Sequence, residues 1–285
     1  MDRRQFLKTS LGAAGVLAMG AGQTWGKPAR KTATDRVVLG KSGVELSRLA
    51  IGTGTQGWGG SSNQTRQLGI GGLSDLFRTG YDEGVTFWEG ADQYGSHPHM
   101  KEALKGVPRE KVTILTKSRA TTADEMRKDL DRFRRELDSD YIDILLLHCV
   151  TDPKWPAKMQ GAMDVISEAH KAGRIKMHGV SCHSLGALKA AAASDWVQVD
   201  LARINPTGAS MDASPEVVIP ILREMKAKGK AVLGMKILGA GELVNRKDEC
   251  LRFALGLDCV DAFTIGAETK EQFADLLKRI PAASA

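Results

Sequence analysis

The chain alternates short β-like runs with helix-period stretches eight times, and this order constrains the fold more than any other feature. The eight runs are short and largely apolar: Leu49–Gly52, Val85–Trp88, Val112–Thr116, Ile142–Leu147, Lys176–Val180, Val197–Leu201, Ala231–Met235 and Ala262–Ile265. Strand and helix repeating in this way within one domain of about 250 residues are typical of a (β/α)8 barrel, in which helices surround eight parallel strands.

The stretches between the runs predict the helices of that barrel. The clearer ones are Leu73–Glu83, Thr122–Leu137, Ala157–Ala172, Leu185–Ala193, Pro215–Lys228, Lys247–Leu255 and Lys270–Arg279, with a short one at His99–Leu104. Ahead of the first run, Arg36–Leu39 and Val44–Leu46 flank Gly40-Lys41-Ser42-Gly43, a β-hairpin pattern. We therefore predict a (β/α)8 TIM barrel with an N-terminal β-hairpin over residues 36–285.

An open, doubly wound sheet is the competing fold. Gly52-Thr53-Gly54-Thr55-Gln56-Gly57 follows a strand and matches the G-x-G-x-x-G pattern of a Rossmann nucleotide site. However, Trp58-Gly59-Gly60-Ser61-Ser62 continues as a loop where that motif requires a helix, and no acid lies where a ribose ligand belongs. The barrel is favoured, and the glycines are read as a flexible first loop.

The N-terminus carries an export pattern. Arg3-Arg4-Gln5-Phe6-Leu7-Lys8 precedes a Gly- and Ala-rich apolar run, Leu11 to Gly22, as in a bacterial twin-arginine (Tat) signal. The run is shorter than the ~20 residues that span a bilayer, so no membrane span is expected after signal removal. We expect residues 1–26 to be the signal, 27–35 a linker, and the Tat machinery to deliver the folded protein to the periplasm.

Charge and cysteine content exclude other classes. Part of the net charge of +6 comes from the terminal region, and no basic stripe alternates with aromatics, so nucleic acid is not an expected partner. The cysteines at 149, 182, 250 and 259 lack metal-ligand spacing. The histidines at 97, 99, 178 and 183 form no fixed triad with them, so no metal is expected. A Cys149–Cys182 disulfide and the oligomeric state stay open.

Four titratable side chains follow three successive strands of the predicted barrel. Glu89 ends the second strand with Tyr94 in the loop behind it, Lys117 ends the third, and His148 ends the fourth. Catalytic residues of such barrels lie at the carboxyl ends of the strands, so these groups are expected at one rim. A tyrosine there can protonate a developing alkoxide if its neighbours lower its pKa from about 10.

Several short stretches, each weak alone, together match one known family. They are Leu39–Gly43, Ala50–Gly54, Phe87–Gly95, Leu115–Lys117, Tyr141–Asp143 with His148, Gly179–Ser181, Asn205-Pro206 and Met235-Lys236. Through them the chain resembles the aldo-keto reductase superfamily, from Val37 to the last helix. The resemblance implies carbonyl reduction with Tyr94 as the general acid, its pKa lowered by Lys117. It also implies that Glu89 orients Lys117 and that His148 orients the carbonyl.

The resemblance further implies a nicotinamide dinucleotide, NADP(H) by family habit with NAD(H) as the alternative. Its binding residues would be Gly54, Ser181, Cys182, Met235, Lys236, Gly266, Thr269 and Lys270. Thr269 and Lys270, at the start of the last helix, would hold a ribose 2′-phosphate, against which Glu268 argues mildly.

The chain departs from the family pattern at four of its site positions. Glu89 replaces the usual Asp, Cys182 replaces an Asn, Leu201 replaces a Gln with Arg203 two residues on, and Met235 replaces a stacking aromatic. Three functions therefore remain: an exported reductase of aldehydes or ketones, which we favour, a non-catalytic binding barrel, and an isomerase or lyase that retains a tightly bound nicotinamide.

Overall fold

The computed structural model describes residues 30–284, and these form a closed barrel preceded by a hairpin. The hairpin strands are β1 (Arg36–Val38) and β2 (Glu45–Ser47). The barrel strands are β3 (Leu49–Gly52), β4 (Phe87–Glu89), β5 (Thr113–Ser118), β6 (Ile142–Val150), β7 (Ile175–Cys182), β8 (Val199–Arg203), β9 (Ala231–Met235) and β10 (Ala262–Gly266). All eight pair in parallel, and β10 closes the ring onto β3. The predicted fold is confirmed.

The helices follow the strands in the expected order. They are α1 (Asn63–Asp82), α2 (His97–Leu104), α3 (Ala123–Leu137), α4 (Trp155–Lys158), α5 (Gln160–Lys171), α6 (Leu185–Ala193), α7 (Pro215–Ala227), α8 (Lys247–Gly256) and α9 (Lys270–Ala283). No helix in residues 30–284 combines the length and apolar character that crossing a bilayer requires.

Side-chain alternation along the strands divides the core into two layers. Inward residues such as Phe87, Leu115 and Leu146 fill the barrel, and outward residues join the larger cluster under the helices. Leu39 and Leu46 of the hairpin segment pack into the inner layer. The hairpin therefore closes the amino-terminal end of the barrel and leaves the carboxyl-terminal end as the open mouth.

Helix α1 begins ten residues before the predicted start at Leu73. Ser62 and Thr65 form a reciprocal capping box, which fixes the start of the helix at Asn63. Gly69 adopts φ 60° and ψ −174°, a conformation open to glycine, and breaks the helix into two pieces. Glycines at 69, 71 and 72 dilute the apolar period in the first piece, which explains why the sequence pattern misses it.

The terminal predictions fall largely outside the described residues. The proposed signal, residues 1–26, and the first part of the linker lie beyond them. The end of the predicted linker packs against the barrel, because Ala33 is buried and its carbonyl accepts a hydrogen bond from Leu49 N at 2.9 Å.

Candidate active site

Glu89 and Lys117 form a buried ion pair at the ends of β4 and β5. Lys117 is 0% exposed and Glu89 is 4% exposed. The Lys117 Nζ donates to Glu89 Oε1 and to the carbonyl of Gly90 at 2.8 Å. The second carboxylate oxygen accepts from Thr264 Oγ1 of β10 at 3.1 Å. An unpaired charge at this depth is strongly destabilising, so the two residues act as one electrically neutral unit.

Tyr94 lies above this pair in a single 3-10 turn, Asp92–Tyr94. Its ring centroid is 4.6 Å from Lys117 Nζ, and its hydroxyl is 3.4 Å from His148 Nε2. The glycines of the first loop press against the ring: a Cβ at Gly54 would lie 2.6 Å from Tyr94 Cε2, and one at Gly57 would lie 2.4 Å from Cδ1. The structure thus places Gly54 as a support of Tyr94.

His148 reaches the same point from the end of β6, two residues after the inward-facing Leu146. Pairing with β7 is regular up to Leu147, shifts register, and resumes at Val150, with Cys149 at φ 57°. Such irregularities re-aim the side chains they contain. The structure therefore brings together the four catalytic residues that the sequence predicts.

The electrostatics of the phenol differ from the prediction. Burial raises the pKa of Tyr94 well above 10, and the carboxylate of Glu89 adds to the rise. Lys117 was expected to lower this pKa, and although its amine lies under the ring, the net direction is upward because burial of the phenol dominates. Burial likewise lowers the pKa of Lys117, which Glu89 opposes. The phenol is consequently protonated at physiological pH.

His148 is held neutral. Burial lowers its pKa well below 6.5, and the positive charges of Lys117, Arg119 and Lys236 contribute, together with His183. Its Nδ1 has no hydrogen-bond partner among residues 30–284, while Nε2 faces the Tyr94 hydroxyl. A neutral imidazole at this place can exchange a hydrogen bond with the phenol or with a carbonyl oxygen without carrying charge.

The mouth offers groups that fit a nicotinamide. Ser181, on the inward face of β7, accepts a hydrogen bond from Cys149 N at 3.0 Å and keeps its own hydroxyl proton to donate. Met235, at the end of β9, belongs to the inner layer and is 8% exposed, so it presents an apolar surface to a ring. Lys236 follows at φ 58°, and burial lowers the pKa of its amine.

The side chain of Cys182 does not reach this group of residues. It is fully buried in the outer layer, because strand alternation turns it away from the face that carries Ser181. Burial raises the pKa of its thiol, and the neighbouring carboxylate of Asp200 adds to the rise. The prediction that Cys182 binds the cofactor stays a prediction, and the thiol itself faces away from the mouth. Cys149 and Cys182 are both free.

The predicted adenine end is the turn between β10 and α9. A Cβ at Gly266 would lie 2.5 Å from Gln64 Nε2 and 2.6 Å from Thr55 Oγ1, so a larger residue would displace these side chains. The Thr269 hydroxyl caps α9 by accepting from Gln272 N at 3.2 Å. Lys270 pairs with Asp75 on the surface, and Glu268 accepts from Asn63 Nδ2 at 2.7 Å. The turn thus exposes one cation and one carboxylate, each with a partner.

A polar network that the sequence analysis missed holds the Tyr94 turn against α3. Arg132 binds Asp92 of the turn at 2.6 Å, Asp129 at 2.8 Å and Glu136 at 3.1 Å. Glu136 also contacts His97 Nδ1 at 2.7 Å, and His97 Nε2 contacts Thr116 Oγ1 at 2.6 Å. These partners come from four separate elements, so no single sequence motif contains them.

His178 and a sizeable cavity lie away from this group of residues. His178 stacks on Trp196 with ring centroids 4.5 Å apart, whereas His183 lies at the mouth, where burial and then the charges of Arg203 and Lys236 lower its pKa to about 3. No cluster of three metal-ligating side chains occurs in the described part of the chain. A cavity of about 610 Å³ opens at the amino-terminal end, lined by hairpin residues and by Asp143, whose carboxylate is already bound by Arg109 and Lys176.

Together, the closed (β/α)8 barrel and the acid, lysine, tyrosine and histidine at its mouth define the class of a barrel protein with a buried polar site at the carboxyl ends of its strands. The aldo/keto reductase family model matches residues 48–276, and the chain belongs to this family.

Its relatives are distant. It is 28% identical over 219 residues to "Probable aldo-keto reductase 1" of Glycine max, covering 72% of this chain and 60% of that protein. It is 25% identical to "Glycerol 2-dehydrogenase (NADP(+))" of Saccharomyces cerevisiae, and the match covers 75% of this chain and 72% of that protein.

Solved structures show the same fold at lower identity. A thermostable aldo-keto reductase in complex with the inhibitor epalrestat superposes with a TM-score of 0.70 at 22% identity, covering 86% of this chain and 93% of that one. The holo form of an aldo-keto reductase from Bacillus halodurans gives 0.68 at 17% identity, covering 87% and 91%. At these identities the likeness supports the fold alone.

Proposed function

We propose that the protein is an exported, NAD(P)H-dependent reductase of aldehydes or ketones, with Tyr94 as the general acid. The observation that carries this proposal is the meeting of the Tyr94 hydroxyl and His148 Nε2, 3.4 Å apart, above the buried Lys117–Glu89 pair. A protonated phenol, a neutral imidazole and a buried cation converge on the place where a carbonyl oxygen would acquire charge.

The chemistry divides between the cofactor and the chain. When bound, a nicotinamide would supply a hydride, that is two electrons and one hydrogen, for the carbonyl carbon. Tyr94 gives its hydroxyl proton to the oxygen, so the product is an alcohol and a phenolate remains. Lys117 stabilises that phenolate from beneath the ring, and His148 holds the carbonyl oxygen by a hydrogen bond. Solvent then returns the proton to Tyr94.

Glu89 keeps Lys117 in place for this task. Its two oxygens are shared between Lys117 and Thr264, so the extra methylene relative to Asp is used to span from β4 to β10. The longer acid is therefore compatible with a working site.

For the cofactor we propose NADP(H). Ser181 would hold the carboxamide, Met235 would cover the ring, and Lys270 would meet the 2′-phosphate. The Lys270–Asp75 pair is half exposed and worth ~0–1 kcal/mol, so a phosphate dianion can displace Asp75. Fluorescence titration tests this: Lys270→Met should weaken NADPH about fivefold or more and leave NADH unchanged. Tighter binding of NADH than NADPH by the wild type would contradict the choice.

Purified mature protein provides the test of the reductase proposal. We expect bound or added nicotinamide to be detected by absorbance and mass, and NADPH to be consumed with a panel of aldehydes and ketones. Tight nucleotide without turnover of any carbonyl would favour an isomerase or lyase. An absence of nucleotide and of affinity for NADPH would leave a binding barrel.

Export is proposed from the sequence of the terminal region. Fractionation of a bacterium expressing the full chain should recover the shortened protein in the periplasm. Replacing Arg3 and Arg4 together by lysine should keep the unprocessed chain in the cytoplasm. Cytoplasmic retention of the unaltered chain would rule the proposal out.

A further inference from the structure

Arg119 occupies a distinctive place on the mouth of the barrel. It follows Lys117 by two residues, just beyond the end of β5, and its guanidinium carbon lies 4.6 Å from the centroid of the Trp58 ring. Trp58 is 59% exposed, and it belongs to the same loop whose Gly54 and Gly57 press against the Tyr94 ring. An arginine and an exposed aromatic thus stand together beside the proton donor.

The charge of Arg119 has no counterpart in the described part of the chain. At the same mouth, Lys117 is paired with Glu89 and Arg203 is paired with Asp212. No carboxylate between residues 30 and 284 lies within salt-bridge distance of Arg119, whose guanidinium contacts the Trp58 ring instead. Its positive charge is nevertheless felt inside the site, since it helps to lower the pKa of both His148 and His183.

The position of Arg119 in the ring of strands separates it from the proposed cofactor path. The cofactor residues follow β7, β9 and β10, whereas Arg119 follows β5, which lies across the barrel from β9 in the closed order β10-β3-β4-β5-β6-β7-β8-β9. Lys236, the other unpaired cation of the mouth among the described residues, follows β9. The β5 side, with Tyr94 and Trp58, therefore lies apart from the residues proposed for the cofactor.

We infer that Arg119, supported by Trp58, binds an anionic group on the substrate, so that the preferred substrates are carbonyl compounds carrying a carboxylate or a phosphate. This inference rests on the proposed carbonyl reduction. A guanidinium suits either group because its planar N–H donors match two oxygens at once, and the indole face holds the guanidinium plane while it does so.

A matched pair of aldehydes tests the inference. 4-Carboxybenzaldehyde carries a carboxylate, and methyl 4-formylbenzoate has the same shape without the charge. Arg119→Met should raise KM for the acid and lower its kcat/KM by about 10- to 100-fold, with the ester changed by less than about twofold. Arg127→Met is the matched control, because Arg127 lies exposed on α3 and its charge is paired with Asp124. For the wild type, added salt should raise KM for the acid and leave KM for the ester unchanged.

Three results would overturn the inference. In the first, Arg119→Met lowers kcat/KM equally for both aldehydes. In the second, it leaves kcat/KM for the acid unchanged. In the third, Lys236→Met abolishes the preference for the acid while Arg119→Met retains it. Failure of the wild type to reduce either aldehyde would instead count against the reductase proposal. Calorimetry with 4-nitrobenzoate and 4-nitrobenzamide then still decides the role of Arg119, since only the anion should bind, and only with Arg119 present.

Discussion

At the scale of single residues, Tyr94 and His148 are both neutral under ordinary conditions, and this sets how the site responds to pH. Burial raises the pKa of the phenol well above 10 and lowers that of the imidazole well below 6.5. Neither group changes its protonation near neutrality. The phenol is thereby a weaker acid, and in the proposed reaction the amine of Lys117 would offset this as the proton leaves.

The pH profile of carbonyl reduction should therefore be flat. We expect kcat/KM to stay constant from about pH 6 to about pH 9, because the two groups titrate outside that range. Measurement at saturating NADPH over this range checks the expectation. A bell-shaped profile with a limb near pH 6.5 would show that His148 titrates as a solvated histidine does.

Glu89 is the second residue for which a direct test is available. Glu89→Asp shortens the side chain so that it cannot hold both Lys117 and Thr264, and it should lower kcat by about tenfold through misplacement of the Lys117 amine. Glu89→Gln removes the charge and should cost more, in both kcat and thermal stability, because Lys117 would be buried without a counter-ion. Thr264→Val is the partial control. Activity that Glu89→Asp leaves undiminished would show that the reach to β10 is dispensable.

At the scale of secondary-structure elements, the turn that carries Tyr94 is tied to α3 by Arg132. This arginine joins Asp92 of the turn to Glu136, and Glu136 continues through His97 to Thr116, the neighbour of Lys117 on β5. The network fixes the turn relative to the strand end, so that the phenol stays above the Lys117 amine.

Arg132→Met should consequently reduce kcat by about 5- to 20-fold, since displacements of ~1 Å at a reacting group can cost up to 10²-fold. The affinity for the nicotinamide should not change, because the cofactor residues lie on other strands. Arg135→Met, an exposed position on the same helix, is the control. A loss of nicotinamide affinity equal to the loss of kcat would indicate general damage to the barrel instead.

Several of these elements could be predicted from the sequence, for identifiable reasons. The strands and most helices could be predicted, because apolar residues that recur with a period of two or 3.6 indicate which faces are buried. The outward direction of Cys182 could have been recognised from alternation, since its neighbour Ser181 points inward. The contacts of Arg132 could not, because they join α3, α2, β5 and a turn that meet only in the folded chain. The upward shift in the pKa of Tyr94 also depends on burial that no local pattern reports.

At the scale of the whole molecule, the barrel buries a carboxyl group that has little compensation. Asp200, outward-facing on β8, is 0% exposed, and neither of its oxygens has a hydrogen-bond partner in residues 30–284 apart from the weak donor that the Cys182 thiol can offer. Burial raises its pKa from 3.8 to about 7. The group is protonated in the fold at acidic pH and must be buried as an anion above neutrality.

This burial should make the stability of the whole domain depend on pH. Because the folded-state pKa of Asp200 exceeds the unfolded value, its contribution is fully favourable below about pH 4 and is lost as the pH rises through about 7. Asp200→Asn should remove this loss and stabilise the protein at pH 8 by roughly 2–4 kcal/mol relative to pH 4. Urea unfolding at both pH values measures it. Asp140 is 99% exposed, so Asp140→Asn should keep the wild-type dependence of the free energy of unfolding on pH. The account would be refuted if the wild type and Asp200→Asn showed the same dependence.

The central claim is that Tyr94 delivers a proton while a nicotinamide delivers hydrogen to a carbonyl carbon, and single-turnover transfer from deuterated cofactor tests it most directly. Mature protein is mixed with an aldehyde and NADPH carrying deuterium at the reactive carbon, and the alcohol is examined by mass spectrometry. We predict deuterium on the carbinol carbon with the wild type and with Tyr141→Phe, and a transfer rate lowered ~10²- to 10⁴-fold in Tyr94→Phe. Equal transfer rates in Tyr94→Phe and the wild type, or no deuterium in any product, would contradict the account.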